Sequence, residues 1–242
     1  MKYINLPTLA TLLTSLTLTN VYAQDYSDYN TLLEKYAHPT GVDYKSWDKN
    51  GKDHKALEKI LKEWSKIDAS KLPHNDKAAF RINLYNAAMI DVALDNYPLT
   101  SVTKLGKKDF AIFDTKLIST PAGKISLNTL EKKILLKEFP DARIHFAVNC
   151  ASVSCPPLRN EAFIGSKLQE QLTEQSVKFA NSSHAVQTSR STAKYSELFN
   201  WYASDFKTKN PATYLNKYRS SKIKTSLKVD WISYDWNLNQ SK

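Results

Sequence analysis

Apolar positions recur at i, i+3, i+4 and i+7 in Leu57, Ile60, Leu61 and Trp64, while Lys55, Glu58, Lys62 and Glu63 occupy the other face. That stripe predicts an amphipathic helix of about three to four turns. The next pattern is apolar nearly all round, running from the cap-forming Asn75-Asp76 through Phe80, Ile82, Leu84, Tyr85, Met89, Ile90, Val92 and Leu94 to a stop at Asn96-Tyr97-Pro98. A helix with no polar face belongs at the centre of a fold, so residues 76–96 are expected to be buried. Asn83 and Asn86 break the apolar run on one face. A buried amide without partners costs about 1–3 kcal/mol, so both are expected to tie nearby backbone, or to hold a catalytic loop.

Elsewhere the pattern is less regular. Gln24 to Gly51 is polar and aromatic, and reads as an irregular lead-in docked by Tyr26, Tyr29, Tyr36, Tyr44 and Trp47. Phe110 to Ser119 and Lys124 to Ser126 flank the turn cluster Thr120-Pro121-Ala122-Gly123, which predicts a hairpin. Ser126 then caps a helix using Leu127, Leu130, Ile134 and Leu135 that ends before Pro140. Ile144, Phe146 and Val148 alternate with Arg143, His145, Ala147 and Asn149, the pattern of a strand with one apolar and one polar face. The last third predicts helices around Leu168 to Phe179, Tyr195 to Phe206 and Pro211 to Tyr218, then a final strand in Ile223 to Tyr234. Helices outnumber strands in no βαβ rhythm and no repeat is present. The expected class is therefore α+β: one globular domain over residues 24–242, its helices packed on a small, largely antiparallel sheet.

The first residues change the setting. Lys2, an apolar and threonine-rich run from Ile4 to Leu18, and Val21-Tyr22-Ala23 have the form of a cleaved signal peptide over residues 1–23. Thr11, Thr14, Ser15 and Thr17 make the run poor as a permanent span, and no later stretch is apolar enough for a transmembrane segment. The expected location is periplasmic or extracellular. The net charge is +10, and loss of Lys2 with the signal peptide leaves +9. Such a charge favours an anionic envelope polymer or a peptide as partner. Because the lysines are scattered among acids, a solvated surface is expected and no nucleic acid partner.

Both cysteines fall in Asn149-Cys150-Ala151-Ser152-Val153-Ser154-Cys155-Pro156-Pro157. In one reading Cys150 or Cys155 is a nucleophile with His145 as its base, since a thiol needs a nearby imidazole or positive charge to become thiolate. If the strand continues, its rise of about 3.3 Å per residue puts His145 and Cys150 roughly 16 Å apart on opposite faces, leaving Cys155 to fold back. His184, His38, His54 and His74 read as superficial. In the other reading Cys150 and Cys155 form a structural disulfide, natural in an exported chain. The spacing is not that of a thioredoxin-type redox pair, and Cys150, Cys155 and His145 lack metal-site spacing, so no metal ligands are assigned. With 5 glycines and no phosphate loop or serine-hydrolase elbow, no cofactor is expected.

Several separated blocks carry a resemblance: Gly41-Val42-Asp43-Tyr44, Arg81 to Ala87, Gly123 to Leu136, Arg143 to Leu158, Trp201-Tyr202 with Asp205-Phe206, and Tyr234 to Asn239. Together they resemble the family catalogued as domain of unknown function 547, a set of mostly exported bacterial proteins from which no activity carries over. Where such members usually have Glu-His in the helix after the hairpin, this chain has Glu131-Lys132. Two functions are expected from these residues. One is a cysteine-dependent hydrolase or acyl/peptidyl transferase of the cell envelope, using Cys150 or Cys155 with His145, Asn149 and Glu131, supported by Asn83 and Asn86. The other is a non-catalytic binding or scaffold module, its disulfide a staple, in which Trp201, Tyr202, Trp231, Tyr234 and Trp236 present or support a ligand surface.

Overall fold

The computed structural model describes residues 24–241; the expected signal peptide, Met1 to Ala23, lies outside the described residues. The lead-in is helical where an irregular segment was expected. Tyr29, Leu32, Leu33 and Tyr36 fall at i, i+3, i+4 and i+7, and all four are buried in α1 (Ser27–Tyr36). The rings that look like isolated anchors are thus the core stripe of a helix. A short antiparallel hairpin, β1 (Ala37–His38) and β2 (Gly41–Val42), turns the chain. Gly41 has φ 137°, and a Cβ there would lie 2.2 Å from the Asn239 carbonyl oxygen, so only glycine fits. Next comes α2 (Tyr44–Lys49), capped by the Asp43 side chain on Ser46 N–H.

The predicted amphipathic helix is α3 (Gly51–Trp64), which buries Leu57, Ile60 and Trp64. The predicted central helix is α4 (His74–Asp95); from Ala78 to Leu94 every residue except Asp91 is buried. Trp64 joins the two, with its ring 5.9 Å from that of Phe80. The hairpin follows as β3 (Ile118–Thr120) and β4 (Gly123–Ile125), with Ile118 opposite Ile125. As expected, Ser126 Oγ accepts from Thr129 N–H at 3.1 Å. The helix it caps runs as a π-helix over Thr129–Leu135 before closing as α5 (Leu136–Glu138).

The predicted strand over Arg143 to Asn149 does not form. Asp141 accepts from Arg143 N–H at 2.9 Å and starts a 3-10 turn, Ala142–Phe146. Every residue from Ile144 to Asn149 is buried, so the alternation is one of residue type and not of two faces.

Beyond it lie α6 (Leu168–Ala180), β5 (Val186–Thr188), β6 (Thr192–Ser196), α7 (Leu198–Trp201), α8 (Ala203–Phe206), α9 (Pro211–Leu215) and β7 (Lys228–Ile232). Tyr195 belongs to β6, and the expected helix around it is confined to α7 and α8. The strands form a sheet ordered β5-β6-β7, antiparallel then parallel. Two apolar clusters result, one around α1 to α4 and one around Phe146, Phe179, Phe199, Phe206 and Tyr214. The C-terminal tail crosses back to the first: Leu238 N–H donates to Thr100 O at 2.7 Å, and Asn239 N–H to Ala151 O at 3.1 Å. The whole is a single α+β domain with small sheets. Among the described residues no helix is long and apolar enough to cross a membrane.

Candidate functional site

The cysteine segment sits where the two clusters meet, and backbone hydrogen bonds from asparagine side chains fix it there. Asn86 on α4 donates to Ala147 O at 2.9 Å and accepts from Asn149 N–H at 2.8 Å. Asn149 in turn donates to Pro156 O at 2.8 Å and accepts from Ala151 N–H at 2.9 Å, bridging the two ends of the loop. Asn83 does the same for Phe163, donating to its carbonyl at 2.8 Å and accepting from its N–H at 2.9 Å. These three amides therefore shape the site from below and do not line it. Ala151 holds φ 59°, the left-handed region that a residue with a Cβ visits rarely, so the loop stores local strain that these ties hold in place.

Cys150 and Cys155 are bonded to each other, with Cα atoms 6.2 Å apart. Cys150 N–H donates to Cys155 Sγ at 2.9 Å. In this state neither sulfur is a thiolate. The disulfide lines a cleft of about 460 Å³ together with Tyr85, Glu131, Lys132, His145, Tyr202 and Tyr234, and with an outer wall of Phe110, Trp201 and Trp236. His145 and Cys150 thus share one cleft, which corrects the expected separation on opposite strand faces: the 3-10 turn shortens the path and rotates the side chains.

His145 is almost fully enclosed. Its Nε2 donates to Asp205 Oδ2 at 2.8 Å, and its ring lies 4.1 Å from that of Tyr202 and 5.5 Å from that of Phe206. Glu131 sits in the π-helical stretch, a distortion often found at functional sites because it turns a side chain out of the regular helical order. The Glu131 carboxyl is buried and accepts from Tyr202 Oη at 3.4 Å. Burial pushes it above the usual carboxylate range, against smaller opposing pulls from His145 and Lys132. Burial likewise raises the Tyr202 and Tyr234 hydroxyls, which stay protonated and serve as donors. The cleft therefore offers an imidazole oriented by a carboxylate, a carboxyl biased toward its protonated form and two phenols, a set suited to hydrogen bonding or proton transfer.

Of the residues singled out from sequence, Cys150, Cys155, His145 and Glu131 line the cleft, while Asn149, Asn83 and Asn86 lie behind it. Tyr85 and Lys132 also line the cleft and were not expected there, nor was Asp205, which does not line the cleft but holds His145. Asp205 follows Trp201-Tyr202 by one helical turn, and that spacing is its sequence signal. His184, His38, His54 and His74 do not line the cleft.

Comparison with protein-family models matches residues 69–180 to the family described as Protein of unknown function, DUF547. No curated protein and no solved structure matches the chain. The matched span holds Glu131, His145 and both cysteines, and it stops before Trp201, Tyr202, Asp205, Tyr234 and Trp236.

Proposed function

We propose, for a chain that belongs to the family described as protein of unknown function, DUF547, that it is an exported cell-envelope protein whose cleft binds a segment of an anionic glycan. The observation that carries this reading is the aromatic plate of Trp201 and Trp236, with ring centroids 5.7 Å apart and planes 19° from parallel, opening onto a cleft that also holds Glu131 and His145. Flat apolar rings with a few convergent polar groups are the usual composition of a small-ligand site. Sugar rings offer both features, apolar C–H faces and hydroxyls. Lys132, 5.9 Å from the Tyr202 ring centroid, supplies a cation at the cleft, and the net charge of +9 left after loss of Lys2 draws anionic polymers at long range. The Cys150–Cys155 disulfide acts here as a staple of the floor.

Titrating the mature protein with envelope glycan strands stripped of peptide should change the indole emission saturably, with stem peptides giving no response. A saturable response to the peptides alone would overturn the glycan reading.

A second reading, a cysteine-dependent hydrolase or acyl/peptidyl transferase, is favoured by a separate observation: Tyr234 Oη lies 3.5 Å from Cys150 Sγ and 3.4 Å from Cys155 Sγ, inside the cleft. It requires reduction, because the thiolate is the nucleophile. Alkylation of the reduced protein across a pH series decides it. Rapid labelling of one cysteine below pH 7 supports an activated thiol near His145, and ordinary thiol labelling at both positions removes the reading.

A further inference from the structure

The cleft holds one group that binding alone does not explain. Glu131 lines it, is 7% exposed, and has a neutral phenol for a hydrogen-bond partner, Tyr202 Oη at 3.4 Å. His145 and Lys132 pull on the carboxyl through space, without a bond to it. Burying a carboxyl that no bonded cation neutralises costs stability. It also works against the ligand, because a carboxylate inside a water-poor cleft repels an anionic glycan. An amide of the same shape would serve a binding site better. What a carboxyl has and an amide lacks is a transferable proton, and burial biases Glu131 toward the form that carries it.

His145 is the second such group. Its Nε2–H is fixed on Asp205 Oδ2 at 2.8 Å, so the lone pair of the neutral ring is on Nδ1, which has no hydrogen-bond partner among the described residues. The ring lines the cleft, and the Tyr202 ring packed against it at 4.1 Å holds it against rotation. Asp205 reaches it from α8 without lining the cleft, and so orients the imidazole while leaving the ligand space free. A carboxylate that fixes one ring nitrogen and leaves the other to accept a proton is the arrangement of a general base.

We propose that the cleft hydrolyses the glycan it binds, with Glu131 as proton donor to the glycosidic oxygen and His145, positioned by Asp205, as the base that activates water. The proposal rests on the glycan reading above. Cleavage of a glycoside calls for such a pair, an acid on the leaving oxygen and a base on the incoming water. The bond between the anomeric carbon and the glycosidic oxygen breaks; its electron pair stays on that oxygen, which takes the Glu131 proton. The water oxygen bonds to the anomeric carbon, and the water proton goes to His145 Nδ1. After product release Glu131 regains a proton from solvent and His145 gives one up, so the sum is one water added per bond cut.

The test incubates the mature protein with the peptide-stripped glycan strands in isotopically labelled water, counting new reducing ends while indole emission follows binding. Each scission should place one labelled oxygen at a new reducing end. Glu131→Gln should bind the strands at least as tightly as wild type, which also reports that it is folded, while cleavage falls at least about a hundredfold. Asp205→Asn should lower kcat at least about tenfold with KM unchanged, and Asp205→Glu should restore part of the loss, a pattern that a merely structural contact would not give. Saturable binding by the parent without cleavage, cleavage that survives Glu131→Gln, or product without the label overturns the hydrolytic inference and leaves the glycan reading standing. Absence of binding by the parent overturns the glycan reading and the inference with it.

Discussion

The floor and the wall of the cleft are built in opposite ways. The floor, from Ala147 to Cys155, is held by amide side chains: Asn86 and Asn149 each satisfy backbone groups on both sides, and the disulfide closes the loop. The wall is rings against rings. Trp201 lies 4.9 Å from Tyr234, Tyr234 lies 4.5 Å from Trp236, and Phe110 lies 4.9 Å from Trp236. Residue types that suggest chemistry, asparagine and cysteine, are here used for architecture. Residue types that suggest a core, tryptophan and phenylalanine, face water: Trp201 is 46% exposed and Phe110 43%. Role follows from satisfaction and exposure more than from residue type, and each substitution below tests one side of that division.

The largest effect is expected on the floor. Asn86→Ala strips partners from Ala147 O and Asn149 N–H, both buried, and should cost about 3 kcal/mol of unfolding free energy by chemical denaturation. Asn86→Asp keeps the acceptor for Asn149 N–H but buries a carboxylate against Ala147 O, and should recover none of that loss. If Asn86→Ala instead leaves stability intact and lowers glycan affinity alone, the asparagine is a ligand contact and the division fails.

A smaller effect is expected where floor and wall meet, at Glu131. Burial raises its pKa in the folded protein, so the folded state holds that proton more tightly than the unfolded chain does. The stability this contributes is fully present below the ordinary glutamate pKa and is lost as pH rises through the raised, folded value. Glu131→Gln has no proton to lose. Wild type should therefore lose stability relative to Glu131→Gln as pH rises from 4 toward neutrality. Parallel pH profiles for the two proteins would mean that Glu131 is charged in the fold at no cost.

The large frame was legible in the sequence because long periodic helices announce themselves. The all-round apolar run became α4, the stripe through Leu57 and Trp64 became α3, and Ser126 caps its helix. Short elements were not legible. Arg143 to Asn149 alternates by residue type, yet Asp141 captures Arg143 N–H and the segment turns as a 3-10 helix with no neighbouring strand to pair with. Nor could the parallel pairing of β6 with β7 be read, because its partners are more than thirty residues apart in sequence. The same holds for the site. Glu131, His145 and the cysteines stand out as types, but their meeting depends on that turn, and Asp205 joins them across 60 positions.

The smallest effect on stability is expected at the wall, and it is the one that bears most on function. Trp201 is the last residue of α7, is 46% exposed, and stacks on Tyr234 and Trp236. Removing an indole that remains half in water forfeits only part of a full burial, so Trp201→Ala should lower the unfolding free energy by about 1–2 kcal/mol. The same change removes one of the two near-parallel faces of the plate. If a sugar ring stacks there, glycan affinity should fall at least tenfold, and Trp201→Phe should restore part of it, since a smaller ring still offers a face. Loss of several kcal/mol with affinity unchanged would place Trp201 in the core and leave the glycan without its platform. Loss of affinity with stability held is the outcome expected of a surface built to meet a ligand, and it would locate that ligand against the part of the site lying outside the family-matched residues 69–180.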